Sequence, residues 1–157
     1  MDGRTTPGAG LLGLMLTGFL PLGLAHAAPG PCGSPDETIS RHLAAIQARD
    51  LPGIEATVTR GAALVLILPD GVRTDTREAY LRFHRAFFRD RSWRMRFEEV
   101  SRISTPSMTL VALKSSFRAT PSSAPRSSWL SMGFGCEAGQ WRLVFDQNTR
   151  LPEEAAD

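Results

Sequence analysis

Lysine is almost absent from this chain: Lys114 stands alone among the 18 basic side chains, and the rest are arginine. Such a bias follows from genome composition and carries no functional weight by itself. Against 16 acidic residues the formal net charge is only +2, which leaves no whole-molecule field to draw the protein to nucleic acid. Cysteine is scarce, with Cys32 and Cys136 the only two, and neither has a His or Cys partner at metal-ligand spacing. A glycine-rich phosphate loop, a Ser-His-Asp arrangement at motif positions and an internal repeat are all missing. What is left open is pocket chemistry without a cofactor and without a metal.

The N-terminus is read first, because a segment that is removed takes no part in the fold. Arg4 precedes an apolar run over residues 11–24 that is broken only by Gly, Thr and Pro, and Ala25-His26-Ala27 follows it. A basic start, a short apolar stretch and an A-x-A site form a secretory signal, and the run is too short and too glycine-rich to span a bilayer. Residues 1–27 are therefore expected to be cleaved, with export to the periplasm or the medium and no membrane attachment afterwards. A lipoprotein reading would lipidate Cys32, but Pro29 and Pro31 stand where a lipobox wants small or aliphatic residues. In an oxidising compartment, a disulfide between Cys32 and Cys136 is the better reading of the two thiols.

About 130 residues remain, enough for one domain with its own core. After a lead-in over residues 28–34, Ser34-Pro35-Asp36-Glu37 reads as a capped helix start. The helix should run to about Arg49, with Ile39, Leu43 and Ile46 at helical spacing. Asp50 then caps a short second helix through residues 54–58. Residues 61–68 are a continuous apolar run closed by Pro69-Asp70-Gly71, which reads as a buried strand and a turn. Thr74 or Asp75 is expected to open a third helix to about Asp90, where Tyr80, Phe83, His84, Phe87 and Phe88 make one face and Glu78 pairs with Arg82 on the other. Beyond Ser92 the period changes to two, and four antiparallel strands are expected from there to Thr149. The acidic residues 152–157 read as a frayed tail.

The last of these strands, Gly139-Gln140-Trp141-Arg142-Leu143-Val144-Phe145-Asp146-Gln147-Asn148-Thr149, resembles the closing strand of SnoaL-like proteins of the nuclear-transport-factor-2-like superfamily. One bacterial exported subgroup ends in Asp-Gln-Asn-Thr. Asp50 after the first helix and the Pro-Asp-Gly turn agree with that family, and the resemblance covers residues 35–151. It implies an α+β, cone-like fold in which three helices pack on a strongly curved, mainly antiparallel sheet, with a pocket between the first and third helices and the concave face. Its members include isomerases, cyclases, dehydratases and oligomerisation modules, so the fold does not fix the function.

A proton-transfer site in such a pocket needs a carboxylate or imidazole placed where desolvation moves its pKa. His84, on the apolar face of the third helix, is the first candidate, read against a core histidine bonded to a carbonyl. His42 on the first helix is the second, read against a half-exposed helix-edge residue. Tyr80 is a candidate hydroxyl donor. Trp93, Phe97, Trp129 and Trp141 are expected to line the pocket. If Trp141, Leu143 and Phe145 face inward, strict alternation brings Gln147 to the pocket and turns Asp146 and Asn148 outward. On that reading no carboxylate faces inward from the late strands, which counts against isomerase chemistry. Seven arginines between Arg77 and Arg96 divide between the outer faces of a helix and a strand, a solvated basic surface rather than a nucleic-acid site. The strand from Trp129 to Cys136 has apolar groups on both faces, so a homodimer is expected. The sequence thus reads as a small-molecule pocket protein, with a ligand-free interaction domain as the alternative.

Overall fold

A computed structural model describes Met1 and residues 32–152. The expected signal segment and the acidic tail beyond residue 152 lie outside the described residues. Three helices and six strands follow in the order α1 (Asp36–Ala48), α2 (Leu51–Thr57), β1 (Ala63–Ile67), β2 (Arg73–Thr76), α3 (Arg77–Phe87), β3 (Arg94–Ser104), β4 (Met108–Arg118), β5 (Arg126–Glu137) and β6 (Gln140–Arg150). The strands form one curled sheet in the order β2-β1-β6-β5-β4-β3. Only the β1–β6 pairing is parallel, so the sheet is mixed but mainly antiparallel.

The long strands are amphipathic, and their alternation decides which face meets the helices. On β4, Thr109, Val111, Leu113 and Ser115 are buried, while Met108, Leu110 and Lys114 face outward. On β5, Leu130, Met132 and Phe134 are buried in the same way. These side chains meet Ile39, Ala45, Ile46 and Ile54 from α1 and α2, and Tyr80 and Leu81 from α3. Each large apolar side chain so covered contributes about 1.5–3 kcal/mol.

Two readings of helix starts are corrected. The side chain of Ser34 is not the cap of α1: its Oγ accepts from the Asp36 N–H at 3.2 Å, and Pro35 occupies the cap position. The third helix begins not at Thr74 or Asp75 but at Arg77, where the Thr76 Oγ1 accepts from the Ala79 N–H at 3.1 Å. The four residues before it form the strand β2, which the sequence reading missed. Asp70 and Gly71 turn the chain tightly, with φ +86° at Gly71, and β2 folds back antiparallel on β1. A polar, exposed edge strand carries no apolar alternation, so periodicity cannot reveal it.

Arg49 ends α1 in the left-handed region, at φ 58°, a conformation that costs an L residue about 1 kcal/mol. Its side chain offsets that cost: the guanidinium lies 3.9 Å over the Trp93 ring. It also donates to the carbonyls of Asp90 and Arg91, both at 3.2 Å, and to that of Trp93. Arg49 thereby fastens α1 to the start of β3.

The cysteines are joined, Cys32 to Cys136, with Cα atoms 5.8 Å apart and a sequence separation of 104. Closing so long a loop constrains the unfolded chain by about 4–5 kcal/mol in the entropic model. The bridge pins the lead into α1 onto the β5–β6 hairpin, and the Trp141 indole N–H donates to the Gly33 carbonyl at 3.0 Å beside it.

Candidate active site: a buried aspartate in an apolar cavity

The feature that builds the site is a bulge in β6. Gly133 pairs with Phe145, but the next residue of β5, Phe134, pairs with Leu143. Val144 is therefore an extra residue, and an extra residue reverses the facing of everything beyond it. Gly133 suits the crowded point, because a Cβ there would stand 3.3 Å from that of Phe145. Before the bulge Trp141 and Leu143 face inward; after it the inward positions are Asp146, Asn148 and Arg150. The expectation of Gln147 in the pocket and Asp146 outside is thus reversed. Asp146 is 3% exposed, and Gln147 is half-buried on the other face.

These residues line a cavity of about 200 Å³ between the concave face and the helices. Its walls are mostly apolar: Ile46 from α1, Phe83 and Phe87 from α3, and Leu66, Met95, Phe97, Phe117, Leu130 and Met132 from the sheet. The polar groups are His84, Ser115, Ser128, Asp146 and Asn148, with Arg126 and Arg150 exposed at the mouth.

Burial pushes the Asp146 carboxyl up from 3.8 to about 7, against the pull of hydrogen bonds from Tyr80 and Asn148 that favour the ionised form. The Tyr80 hydroxyl lies 3.2 Å from Asp146 Oδ2, and the Asn148 amide donates to Oδ1 at 3.2 Å. Tyr80 is itself fully buried, and desolvation, followed by the charge of Asp146, holds its phenol well above the usual range. Behind it, His42 Nε2 is 3.1 Å from the Tyr80 hydroxyl and Nδ1 is 2.8 Å from the Thr57 hydroxyl. The Thr57 hydroxyl is also 3.0 Å from the carbonyls of Gly53 and Ile54.

Counting protons along this chain couples its two ends, since each hydroxyl has one to give. When Asp146 is ionised, Tyr80 donates to it, His42 donates from Nε2 to Tyr80, and Thr57 donates to Nδ1. When Asp146 is protonated it donates to Tyr80, Tyr80 donates to Nε2, and His42 donates from Nδ1 to Thr57, whose proton turns to the helix carbonyls. A proton on Oδ2, the oxygen that the Asn148 amide does not occupy, links the ionisation of Asp146 to the tautomer of His42. Both arrangements keep His42 neutral, as burial requires: desolvation first, and the nearby His84 second, lower it from 6.5 to about 3.

His84 reaches the cavity from α3. Its Nδ1 donates to the Tyr80 carbonyl at 3.0 Å, one turn back, and Nε2 makes no hydrogen bond among the described residues. Burial lowers its pKa from 6.5 to about 4, with the Tyr80 carbonyl opposing. At neutral pH the cavity thus offers an uncharged imidazole edge from α3 and, from β6, a carboxyl near its midpoint.

Of the residues singled out from sequence, His84 and Phe97 line the cavity, while Tyr80 and His42 stand one layer behind Asp146. His42 is fully buried, not half-exposed. Trp93 is buried but stacks on Phe87 at 4.5 Å outside the lining, its N–H held by the Phe87 carbonyl. Trp129 and Trp141 do not line this cavity. Trp129 alternates with buried Leu130 and so faces outward, 40% exposed; Trp141 is held beside the disulfide by Gly33. Asp146 and Asn148, the residues missed, would have shown themselves only through the break in alternation at the Val144-Phe145 apolar doublet.

The three helices on a curled six-stranded sheet constitute the nuclear-transport-factor-2-like cone fold, and solved structures bear this out. A putative calcium/calmodulin-dependent protein kinase type II association domain from Thiobacillus denitrificans superposes with a TM-score of 0.69 at 21% identity, over 79% of this chain and 97% of that one. A putative dehydratase of the NTF2-like family from Streptomyces avermitilis gives 0.65 at 12% identity, over 76% and 99%. A ketosteroid isomerase-like protein from Erwinia carotovora atroseptica gives 0.61 at 14% identity, over 74% and 93%. No protein-family profile and no curated protein sequence matches the chain. At these identities the likeness establishes the fold, and function has to be argued from the site.

Proposed function

We propose that the protein binds a small, largely apolar molecule and exchanges a proton with it through Asp146, without a cofactor. The observation that carries this reading is a single buried carboxyl, near its midpoint at neutral pH, on the wall of an otherwise greasy cavity. A general acid–base group works best with its pKa close to the working pH. His84, whose one ring proton is given to the Tyr80 carbonyl, offers Nε2 as an acceptor for a ligand hydroxyl, while Tyr80 and His42 position Asp146 and accept its change of charge. Chains of this fold that carry dehydratase-like and isomerase-like names lend the reading support.

Binding is tested with N-phenyl-1-naphthylamine, a neutral apolar fluorophore, on wild type and on Ser128→Trp, which fills the cavity from β5. Bright, saturable fluorescence in wild type and its loss in the variant are expected; no binding, or binding unaltered by the tryptophan, would refute the pocket. Conversion is tested by deuterium uptake at the α-carbon of steroid and polyketide-like ketones. Wild type should accelerate it, Asp146→Asn should not, and equal rates in the two would remove Asp146 from the chemistry.

Two further parts of the reading concern the setting. Cleavage after Ala27 and export fit a protein whose α1 is pinned by a disulfide, and N-terminal sequencing of the protein from its host checks it. The outward side chains Val100, Ile103, Met108 and Leu110, each more than 40% exposed, fit a homodimer formed through the convex face of β3 and β4. Sedimentation of wild type against Ile103→Glu/Leu110→Glu decides this, a monomer in both being the adverse result.

A further inference from the structure

Arg126 and Arg150 line the cavity and have no task in acid–base chemistry at Asp146. Arg126 opens β5 and Arg150 closes β6, and Ser128 pairs with Arg150 across the two strands. The two arginines are therefore diagonal neighbours on the concave face, their backbones about 7–8 Å apart.

Five of the described arginines, Arg41, Arg73, Arg77, Arg82 and Arg102, have carboxylate partners. Arg102 bridges Asp36 and Glu99, Arg77 meets Glu55 at 3.3 Å, and Arg73 meets Asp75 at 2.7 Å. Among the described residues, neither Arg126 nor Arg150 forms an ion pair, and the Arg126 guanidinium rests 5.4 Å over the Phe117 ring. This diagonal pair of like charges stands at the mouth of an apolar hole with no counter-ion among the described residues.

The spacing of polar groups along β6 adds direction. Asp146, Asn148 and Arg150 occupy successive inward positions, so the arginine end lies ~13 Å of strand away from the carboxyl. A bound anion is repelled at the Asp146 end and attracted at the mouth, which permits one orientation.

We propose that the ligand is an amphiphilic monoanion, its carboxylate held between Arg126 and Arg150 and its apolar body directed inward toward Asp146 and His84. The inference rests on the pocket reading above and adds the charge and orientation of what fills the pocket. Guanidinium groups form charge-assisted, often bidentate hydrogen bonds with carboxylates, so the head group confers selectivity and the cavity wall confers most of the apolar contact.

The test is displacement of N-phenyl-1-naphthylamine by octanoate and by 1-octanol, which share chain length and differ in charge. In wild type at low salt, octanoate should compete at roughly tenfold lower concentration than the alcohol. In Arg126→Gln/Arg150→Gln that advantage should shrink to about twofold or less, read as the ratio of octanoate to octanol competition within the same variant. Raising sodium chloride from about 50 to about 500 mM should weaken octanoate in wild type and leave the alcohol unaffected, a readout that needs no variant to fold. If octanoate and octanol compete equally in wild type, or if the double variant keeps the preference, the anion proposal is overturned while dye binding leaves the pocket standing. If wild type binds no dye, the pocket reading fails and this inference with it.

Discussion

The two ends of β6 do different work on one strand. Residues on the hairpin side of the bulge are structural: Trp141 is tied to Gly33 beside the disulfide, Leu143 is fully buried, and Arg142 donates to the Ala56 carbonyl at 2.6 Å. Residues on the far side, Asp146, Asn148 and Arg150, line the cavity. A regular strand could not do both, because continuing the inward parity of Trp141 and Leu143 would put Phe145 and Gln147 at the cavity. One extra residue lets the first half pack as core and the second present polar groups to a hollow. The bulge is thus the element on which the site depends, and local irregularities in strands are common near functional sites for this reason.

Inserting one alanine between Phe145 and Asp146, which shifts Asp146 from its place opposite Met132 to one opposite Ser131, attacks the comparison directly and should have the largest effect. It turns Asp146 and its neighbours to the convex face and drives polar and apolar side chains into the wrong environments. A loss beyond about 4 kcal/mol is expected, seen as disappearance of the cooperative urea transition and of dye binding together. Replacing Cys32 and Cys136 by serine strikes only the structural half. It should cost about 4–5 kcal/mol in urea unfolding and leave the titration of Asp146 where it was in whatever fraction remains folded.

Asp146→Asn probes the functional half by its sign. The folded carboxyl titrates near 7 against 3.8 in the unfolded reference, so its protonated form is the one folding favours. That contribution is present below the unfolded value and is lost as pH rises through about 7. The asparagine variant should therefore gain on wild type as pH rises from 4 to 8, by up to about 4 kcal/mol. His42 and His84 run the other way, since both are held neutral by burial; their contribution is present above 6.5 and falls away toward acid. The wild-type-minus-variant difference isolates Asp146 from that background. Tyr80→Phe should have a smaller effect: losing a hydrogen bond to the ionised form raises the Asp146 midpoint by about one unit, read by carbon NMR.

Much of this architecture follows from patterns that a sequence displays. The i, i+4, i+7 recurrence of Ile39, Leu43 and Ile46, the aromatic face of α3 and the apolar run of β1 all report the element that carries them. The strand β2 does not, because residues 73–76 are polar and lie at an edge. The orientation of Asp146 does not either, since it depends on whether a residue between Leu143 and Asp146 is skipped in pairing with β5, which the alternation within β6 does not reveal. His42 was legible as a helix residue but not as a fully buried one, because its partners Thr57 and Tyr80 lie 15 and 38 residues away. Period and propensity locate elements; the acid–base site arises from one local departure from the period.

The central claim is that Asp146 exchanges its proton near neutrality inside the cavity and that His42 changes tautomer with it. Carbon NMR of the Asp146 carboxyl, recorded with nitrogen NMR of the His42 ring across pH 4 to 9, measures both at once. The account predicts a carboxyl midpoint close to 7 and, at the same midpoint, transfer of the His42 proton from Nδ1 below it to Nε2 above. A carboxyl midpoint near 4, with a single His42 tautomer throughout, would contradict it.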